Sequence, residues 1–157
     1  MNSNDHLVLK QYIANHPQVE DVLFTGGDPM VMPAATLRKY IEPLLGKDTE
    51  SLQTVRIGSK SLAYWPWRFV SDPDSSEILK LFSDVVRSGK QLSFQAHISH
   101  PRELQTAVVR QAISLIRSTG AQIRSQAPVI RRVNDNATVW RQMWNLQVKL
   151  GLIPYYM

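Results

Sequence analysis

Short apolar runs alternate with longer stretches of helical period along the whole chain. Residues 19–24, 54–58, 91–97 and 121–125, and a further run opening at Ile153, are short and apolar-rich, as buried parallel strands are. Between them, residues 34–45, 74–88, 99–120 and 137–150 place apolar side chains three and four apart, the helical period. A first helix is expected over 6–15, with Leu7, Leu9, Tyr12 and Ile13 as its apolar face and cap-type residues among 1–5. Pro17 ends that helix, and Gly89, Gly120 and Gly151 end later ones. Leu37, Tyr40, Ile41, Leu44 and Leu45 give the 34–45 segment one apolar side, and Pro43 should distort or close it. Asp74-Ser75-Ser76-Glu77 reads as the cap of the 74–88 helix. In the 99–120 helix, Pro101 sits near the first turn and Leu104, Val108, Ala112 and Leu115 form the face. Residues 59–72 read as a long irregular stretch.

Five strands alternating with helices predict an α/β fold with a parallel sheet and right-handed crossovers. Two architectures compete, a section of a β/α (TIM-like) barrel and an open doubly wound sheet. Polar clusters follow each strand: Gly26-Gly27-Asp28, Ser59-Lys60, the segment from His97 to His100, and Gln126. A barrel gathers loops from many strands into one site, whereas an open sheet concentrates function at its switch point. The pattern therefore favours a partial barrel forming one domain over residues 1–157.

Composition narrows the chemistry. The chain has 157 residues, 43% hydrophobic and 20% charged, enough for one domain with a core. There is no cysteine, which removes disulfides, cysteine nucleophiles and thiolate-held metal from this chain. No apolar run approaches the roughly 18 residues of a membrane span and no leader pattern opens the chain, so the expected compartment is the cytoplasm. Eighteen Lys and Arg against thirteen Asp and Glu give a net charge of +5. The basic residues are scattered along helices, with Arg131-Arg132 the tightest pair, so nucleic-acid binding is not expected.

The densest chemistry lies at the strand ends. Gly26-Gly27-Asp28-Pro29 follows the apolar Val22-Leu23-Phe24. Paired glycines allow close approach of a ligand and expose backbone donors, and the aspartate offers an acceptor for a cation. The alternative is a tight strand–helix turn without a ligand. Neither GxxxxGK[ST] nor GxGxxG is present. His97, Ser99, His100 and Arg102 read either as a polar wall with imidazole hydrogen-bond partners or as a capping cluster, and no carboxylate joins them at a metal-ligand spacing. Gln126 reads as a ligand-facing amide or as a loop-ordering one. Trp140 and Trp144, four apart on a helix, read as core; Trp65 and Trp67, in the irregular stretch, read as pocket lining.

At these residues the chain resembles the lysine 2,3-aminomutase family of radical S-adenosylmethionine (SAM) enzymes. The matching segments are LFTGGDPMVM at 23–32, VRIGSKSLAYWPWRFV at 55–70, QAHISHPREL at 95–104, IRSQAPVIRRVNDN at 123–136 and MWNLQVKLGLIPYYM at 143–157. The Tyr-Trp-Pro-Trp-Arg variant resembles a subgroup distinct from the best-known lysine enzymes. The resemblance implies a partial β/α barrel, a 4Fe–4S cluster that cleaves SAM to a 5′-deoxyadenosyl radical, and amino-group migration on pyridoxal phosphate (PLP). It implies SAM contacts at Gly26, Gly27, Asp28, Ser59, Lys60, His97 and Gln126, with His100, Trp65 and Trp67 lining the substrate pocket. Lys60 stands where the family has arginine, which removes a bidentate fork.

The family's CxxxCxxC precedes its GGDP, its PLP lysine follows the Pro-Tyr-Tyr strand, and neither segment matches in this chain. The expectation is therefore a piece of a longer protein acting on an amino-acid-like substrate, inactive on its own, completed by the rest of the barrel or a second copy. The alternatives are a SAM-binding remnant without turnover and a structural piece completed by another chain. Both sheet edges are expected to be unpaired and apolar.

Overall fold

The computed structural model describes residues 5–156; the cap-type residues 1–4 and Met157 lie outside the described residues. In chain order the elements are α1 (Asp5–Asn15), β1 (Asp21–Phe24), α2 (Ala34–Ile41), β2 (Thr54–Ser59), α3 (Ser61–Tyr64), α4 (Ser75–Arg87), β3 (Gln91–His97), α5 (Ala107–Ser118), β4 (Gln122–Gln126), α6 (Ala137–Leu150) and β5 (Ile153–Tyr156). All five strands are parallel and their spatial order is their sequence order. A doubly wound sheet needs a reversal of strand order, and the described sheet has none. Right-handed crossovers that never reverse put every helix on the same face. The fold is an open α/β sheet of the partial TIM-like kind.

Side-chain alternation then sorts the sheet. Register aligns Val22 with Val55 and Leu92, and Phe24 with Ile57, Phe94 and Ile123. These side chains face the helices and join one core with Leu37, Leu81, Ile113 and Met143. At its centre Phe69, Phe82 and Phe94 pack with ring centroids 5.5–6.5 Å apart. The opposite parity is polar: Arg56, Ser93 and Gln122 stand near the strand starts, Gly58, Gln95 and Arg124 higher, and His97 and Gln126 at the carboxyl ends.

Several local expectations are corrected. The 34–45 segment is α only to Ile41; Pro43 distorts its end as expected, in a 3-10 turn at Glu42–Leu44, because proline lacks the N–H the α-helix requires. Residues 59–72 are not irregular throughout: α3 is followed by a 3-10 turn at Pro66–Phe69. The 99–120 helix is two pieces, a 3-10 turn at Pro101–Leu104 and α5, which has its own cap in the Thr106 hydroxyl. The break rotates the buried face of α5 to Val109, Ala112, Ile113 and Ile116. On α1 only Ile13 is buried, while Leu7 and Tyr12 are exposed. Trp140 is core, but Trp144 is 40% exposed. At the sheet edges Leu23, Ile153, Tyr155 and Tyr156 are exposed.

Asp74 does not cap α4 with its side chain; it anchors a buried guanidinium. Arg68, 3% exposed, donates through Nη1 and Nη2 to both Asp74 oxygens, with Nη2–Oδ2 at 3.1 Å, and through Nε and Nη2 to the carbonyls of Met30 and Met32. Asp74 Oδ2 also accepts the Ala34 N–H at 2.7 Å. One ion pair thus ties the start of α2, the start of α4 and the turn after Gly26-Gly27-Asp28. At the other end of the sheet the buried Lys90 Nζ fastens the carbonyls of Thr49 and Leu52, at 2.8 and 2.7 Å.

The Arg68 hydrogen bonds, helped by the Ala34 N–H, hold the Asp74 carboxyl down at about 2, against about 3.9 for a free aspartate. A depressed carboxylate pKa stabilises the fold above the unfolded value and loses that contribution as pH falls through the folded one. Wild-type stability should therefore drop between about pH 4 and pH 2. Asp74→Asn should flatten that part of the profile and lower stability at pH 7 by about 3 kcal/mol, by stranding a buried guanidinium. Urea unfolding across pH checks both, and an unchanged midpoint in the variant contradicts the assignment.

Candidate functional site

The site begins where β1 ends. Gly26 and Gly27 adopt φ of +86° and +52°, a region side-chain-bearing residues enter at a penalty. A Cβ on either would meet nothing within 4 Å, so the turn selects glycine for its backbone and leaves open space beside it. Asp28 then turns back across the sheet. Its Oδ1 accepts the Met30 N–H at 3.0 Å; its Oδ2 accepts the Lys60 N–H at 2.9 Å and the Tyr64 hydroxyl at 3.4 Å. The carboxylate is thereby fixed between the end of β1 and the end of β2. Three donors fill three of its roughly four lone-pair positions, leaving one acceptor direction and the charge.

A cleft of about 330 Å³ opens above this clamp, lined by Gly27, Asp28, Ser59, Lys60, His97 and Gln126, together with Thr25, Gly58 and Tyr64. Four strand ends thus contribute to one concavity. His97 and Gln126 also line a second cleft of about 500 Å³ with residues 127–129 and Tyr156. Gly26 lies instead in an apolar groove on the other side of the turn, with Leu9, Phe24 and Tyr40. Ser59 borders the first cleft, but its hydroxyl is held by Ser61 Oγ at 2.6 Å and by the Ser61 N–H.

The histidine cluster divides. His97 stands in the cleft, its Nε2 at 3.2 Å from Ser99 Oγ. His100 caps the turn that follows, its Nδ1 accepting the Arg102 N–H at 3.2 Å. Trp65 lies 5.4 Å from the Arg68 guanidinium and Trp67 is exposed; neither lines the two clefts around His97.

Three residues of the site escape the sequence reading. Glu103 accepts from the Ser99 N–H at 2.7 Å and from Lys60 Nζ at 3.3 Å. Its signal is a glutamate three residues after a capping position. Tyr64 reaches Asp28 from the aromatic stretch, where the tryptophans draw attention first. Asn134 bridges the Ser99 and Pro128 carbonyls and accepts the Ile130 N–H, and nothing in its loop context marks it.

Burial, and then the Lys60 charge, push the His97 pKa down, with Glu103 opposing. His97 is therefore neutral at pH 7 and serves as donor on one nitrogen and acceptor on the other. Burial, and then the Asp28 charge, push the Tyr64 phenol up.

No protein-family model matches the chain. The chain is 35% identical to a protein of Aquifex aeolicus (strain VF5) named "Putative L-lysine 2,3-aminomutase", over 99% of this chain and 42% of that protein. It is 32% identical to the L-lysine 2,3-aminomutase of Clostridium subterminale, over 92% of this chain and 32% of that enzyme. The chain is homologous to the lysine 2,3-aminomutases. The L-lysine 2,3-aminomutase of Escherichia coli (strain K12) is 28% identical over 94% of this chain and 40% of its own length. The aminomutase-like chain thus spans between about a third and two fifths of the relatives it matches.

Two outcomes test this geometry. In NMR titration, His97 should titrate below 6.5, lower still in Glu103→Gln and higher in Lys60→Met, because those charges oppose each other. Since protonation is favoured in the unfolded chain, stability should fall as pH is lowered through 6.5 toward the folded pKa. Asp28→Asn leaves one oxygen for two backbone donors and should cost about 1–3 kcal/mol. It should also bring the Tyr64 phenol part of the way back toward its ordinary range, which ultraviolet titration reads; an unmoved Tyr64 contradicts the Asp28 contact.

Proposed function

We propose that the chain is the SAM-binding part of an aminomutase-like radical enzyme that acts on an amino-acid substrate. The observation that carries this reading is the convergence of Gly27, Asp28, Lys60, His97 and Gln126 on one cleft at the strand carboxyl ends. The relatives' printed names, lysine and glutamate 2,3-aminomutase, support an amino-acid substrate.

The residues present suit SAM. Asp28 and the carbonyls of the glycine turn are acceptors for its ammonium. Lys60 is a point charge for its carboxylate, restrained by Glu103 and Ser99 at 3.3 and 3.5 Å. Neutral His97 and the Gln126 amide offer donor and acceptor to the nucleoside part. When bound beside a reducing cluster, SAM supplies a carbon radical able to take hydrogen from substrate. The chain's own task is to orient it.

A 4Fe–4S cluster does not fit this chain, which has no cysteine and, among its described residues, no group of three His, Cys, Asp or Glu placed to hold a metal. PLP does not fit either, because Lys60, the lysine at the cleft, is engaged by Glu103 and Ser99. Cluster ligands and PLP lysine must come from outside these residues for turnover, whether from the same longer protein or from a partner.

Calorimetry with SAM on the folded chain should show one site, weakened about tenfold by Gln126→Ala, the loss of one or two hydrogen bonds. No heat from a sample folded by circular dichroism overturns the reading. Anaerobic iron–sulfide reconstitution should leave no stable cluster; a stoichiometric one overturns the need for outside ligands.

A further inference from the structure

We propose that Asn134 is a positioning residue for the cleft, a clasp that sets the His97 and Gln126 wall from behind without touching ligand. The chain leaves β3 through Ser99 and leaves β4 through residues 127–129, and both exits stand beside the site. Ser99 Oγ touches His97 Nε2 at 3.2 Å and Lys60 Nζ at 3.5 Å. Residues 127–129 line the second cleft with His97, Gln126 and Tyr156. Asn134 lines neither cleft, yet it is bound to both exits.

Asn134 is fully buried, and every polar group of its side chain is used at this junction. Nδ2 donates to the Ser99 carbonyl at 2.9 Å and to the Pro128 carbonyl at 3.0 Å, while Oδ1 accepts the Ile130 N–H at 2.6 Å. A carboxamide supplies two donors and an acceptor in one plane, which is what these three groups need. The Asn134 N–H returns to the Ile130 carbonyl at 3.1 Å, so residues 130–134 form a closed turn. At the middle of that turn Arg132 has a φ of +64°, the one side-chain-bearing residue with a left-handed backbone among those described. Such a conformation persists only where its surroundings over-determine it, and it gathers at sites that must be held in shape. Ordering of the loop by itself needs only the Ile130 and Pro128 bonds. The bond to Ser99 reaches across to the neighbouring strand's exit, next to His97, and ties a strained loop to the walls of both clefts.

The inference rests on the proposed reading only in naming SAM as the ligand, and the test keeps the two apart. Three chains are compared by urea unfolding, SAM calorimetry and the ¹⁵N resonances of the His97 ring: wild type, Asn134→Ala, and Asn134→Ala with Arg132→Gly. Loss of the clasp should lower the urea midpoint, weaken SAM about tenfold and shift the His97 resonances. Glycine at position 132 removes the left-handed penalty and should recover much of the midpoint. SAM affinity and the His97 resonances should stay displaced in that double variant, because the Ser99 and Pro128 carbonyls are still unbridged. If both return to wild-type values along with the midpoint, Asn134 only stabilises the fold and the proposal is overturned. The wild-type chain gives a check that needs no variant. Its Asn134 Nδ2–H resonances should shift saturably with SAM, at the midpoint of the His97 shift; resonances that stay still while SAM binds also overturn the proposal. A wild-type chain that binds no SAM removes the SAM reading alone. The clasp then stands on a displaced His97 resonance in the double variant and falls on an unmoved one.

Discussion

Everything about this molecule's site follows from the period-two alternation of parallel strands in an order that never reverses. With all crossovers of one hand, the helices gather on a single face. Every second residue of β2, β3 and β4 then belongs to the core, and the residues between them belong to the other face. Val55, Ile57, Leu92, Phe94 and Ile123 are buried, while Arg56, Gln95, Arg124, His97 and Gln126 stand opposite. A slip of one residue in any strand would exchange the two sets. Phenylalanine packing on one side therefore fixes the placement of every polar group on the other.

The cleft is built by fixing backbone first and charge second. Asp28 joins the ends of β1 and β2 through main-chain N–H groups, so its position does not depend on flexible partners. Arg68 and Asp74 secure the next turn from behind, by way of the Met30 and Met32 carbonyls. Lys60, Ser99, His97 and Glu103 then form a chain of contacts at the mouth. Lysine and glutamate pull the His97 pKa in opposite directions, and burial decides in favour of the neutral ring. The result is a site whose acceptors are rigid and whose one cation, Lys60, is held on a flexible stem.

Strands were legible in the sequence because each is an apolar run ended by glycine or by polar residues, and β3 and α6 occur at the expected bounds. Helical stretches were read too long wherever a proline falls inside a periodic run. Pro43 and Pro101 divert the chain into 3-10 turns, and periodicity continues across such breaks without recording the rotation. The cleft residues at the strand ends were legible as motifs. Their partners were not: Asp74, Glu103 and Asn134 act across distances of 35 to 43 residues in sequence, where only the fold sets the pairing.

The polar face also decides what kind of structure this sheet can be part of. A second helical layer would bury Arg56 and Arg124 against apolar side chains, beside a Gln95 that is already buried, and unpaired buried polar groups and charges are expensive. Asp21 offsets part of that by pairing Arg56, as do Ser93 for Gln95 and Gln122 for Arg124. Closing the sheet with further strands is the cheaper solution, because it encloses the polar face around a ligand-filled interior and pairs the ladder groups of β1 and β5. The exposed Leu23 at one edge and Ile153 at the other suit that closure, since both lie on the outermost strands where added strands would lie. These side chains suit a barrel section better than half of a layered sandwich.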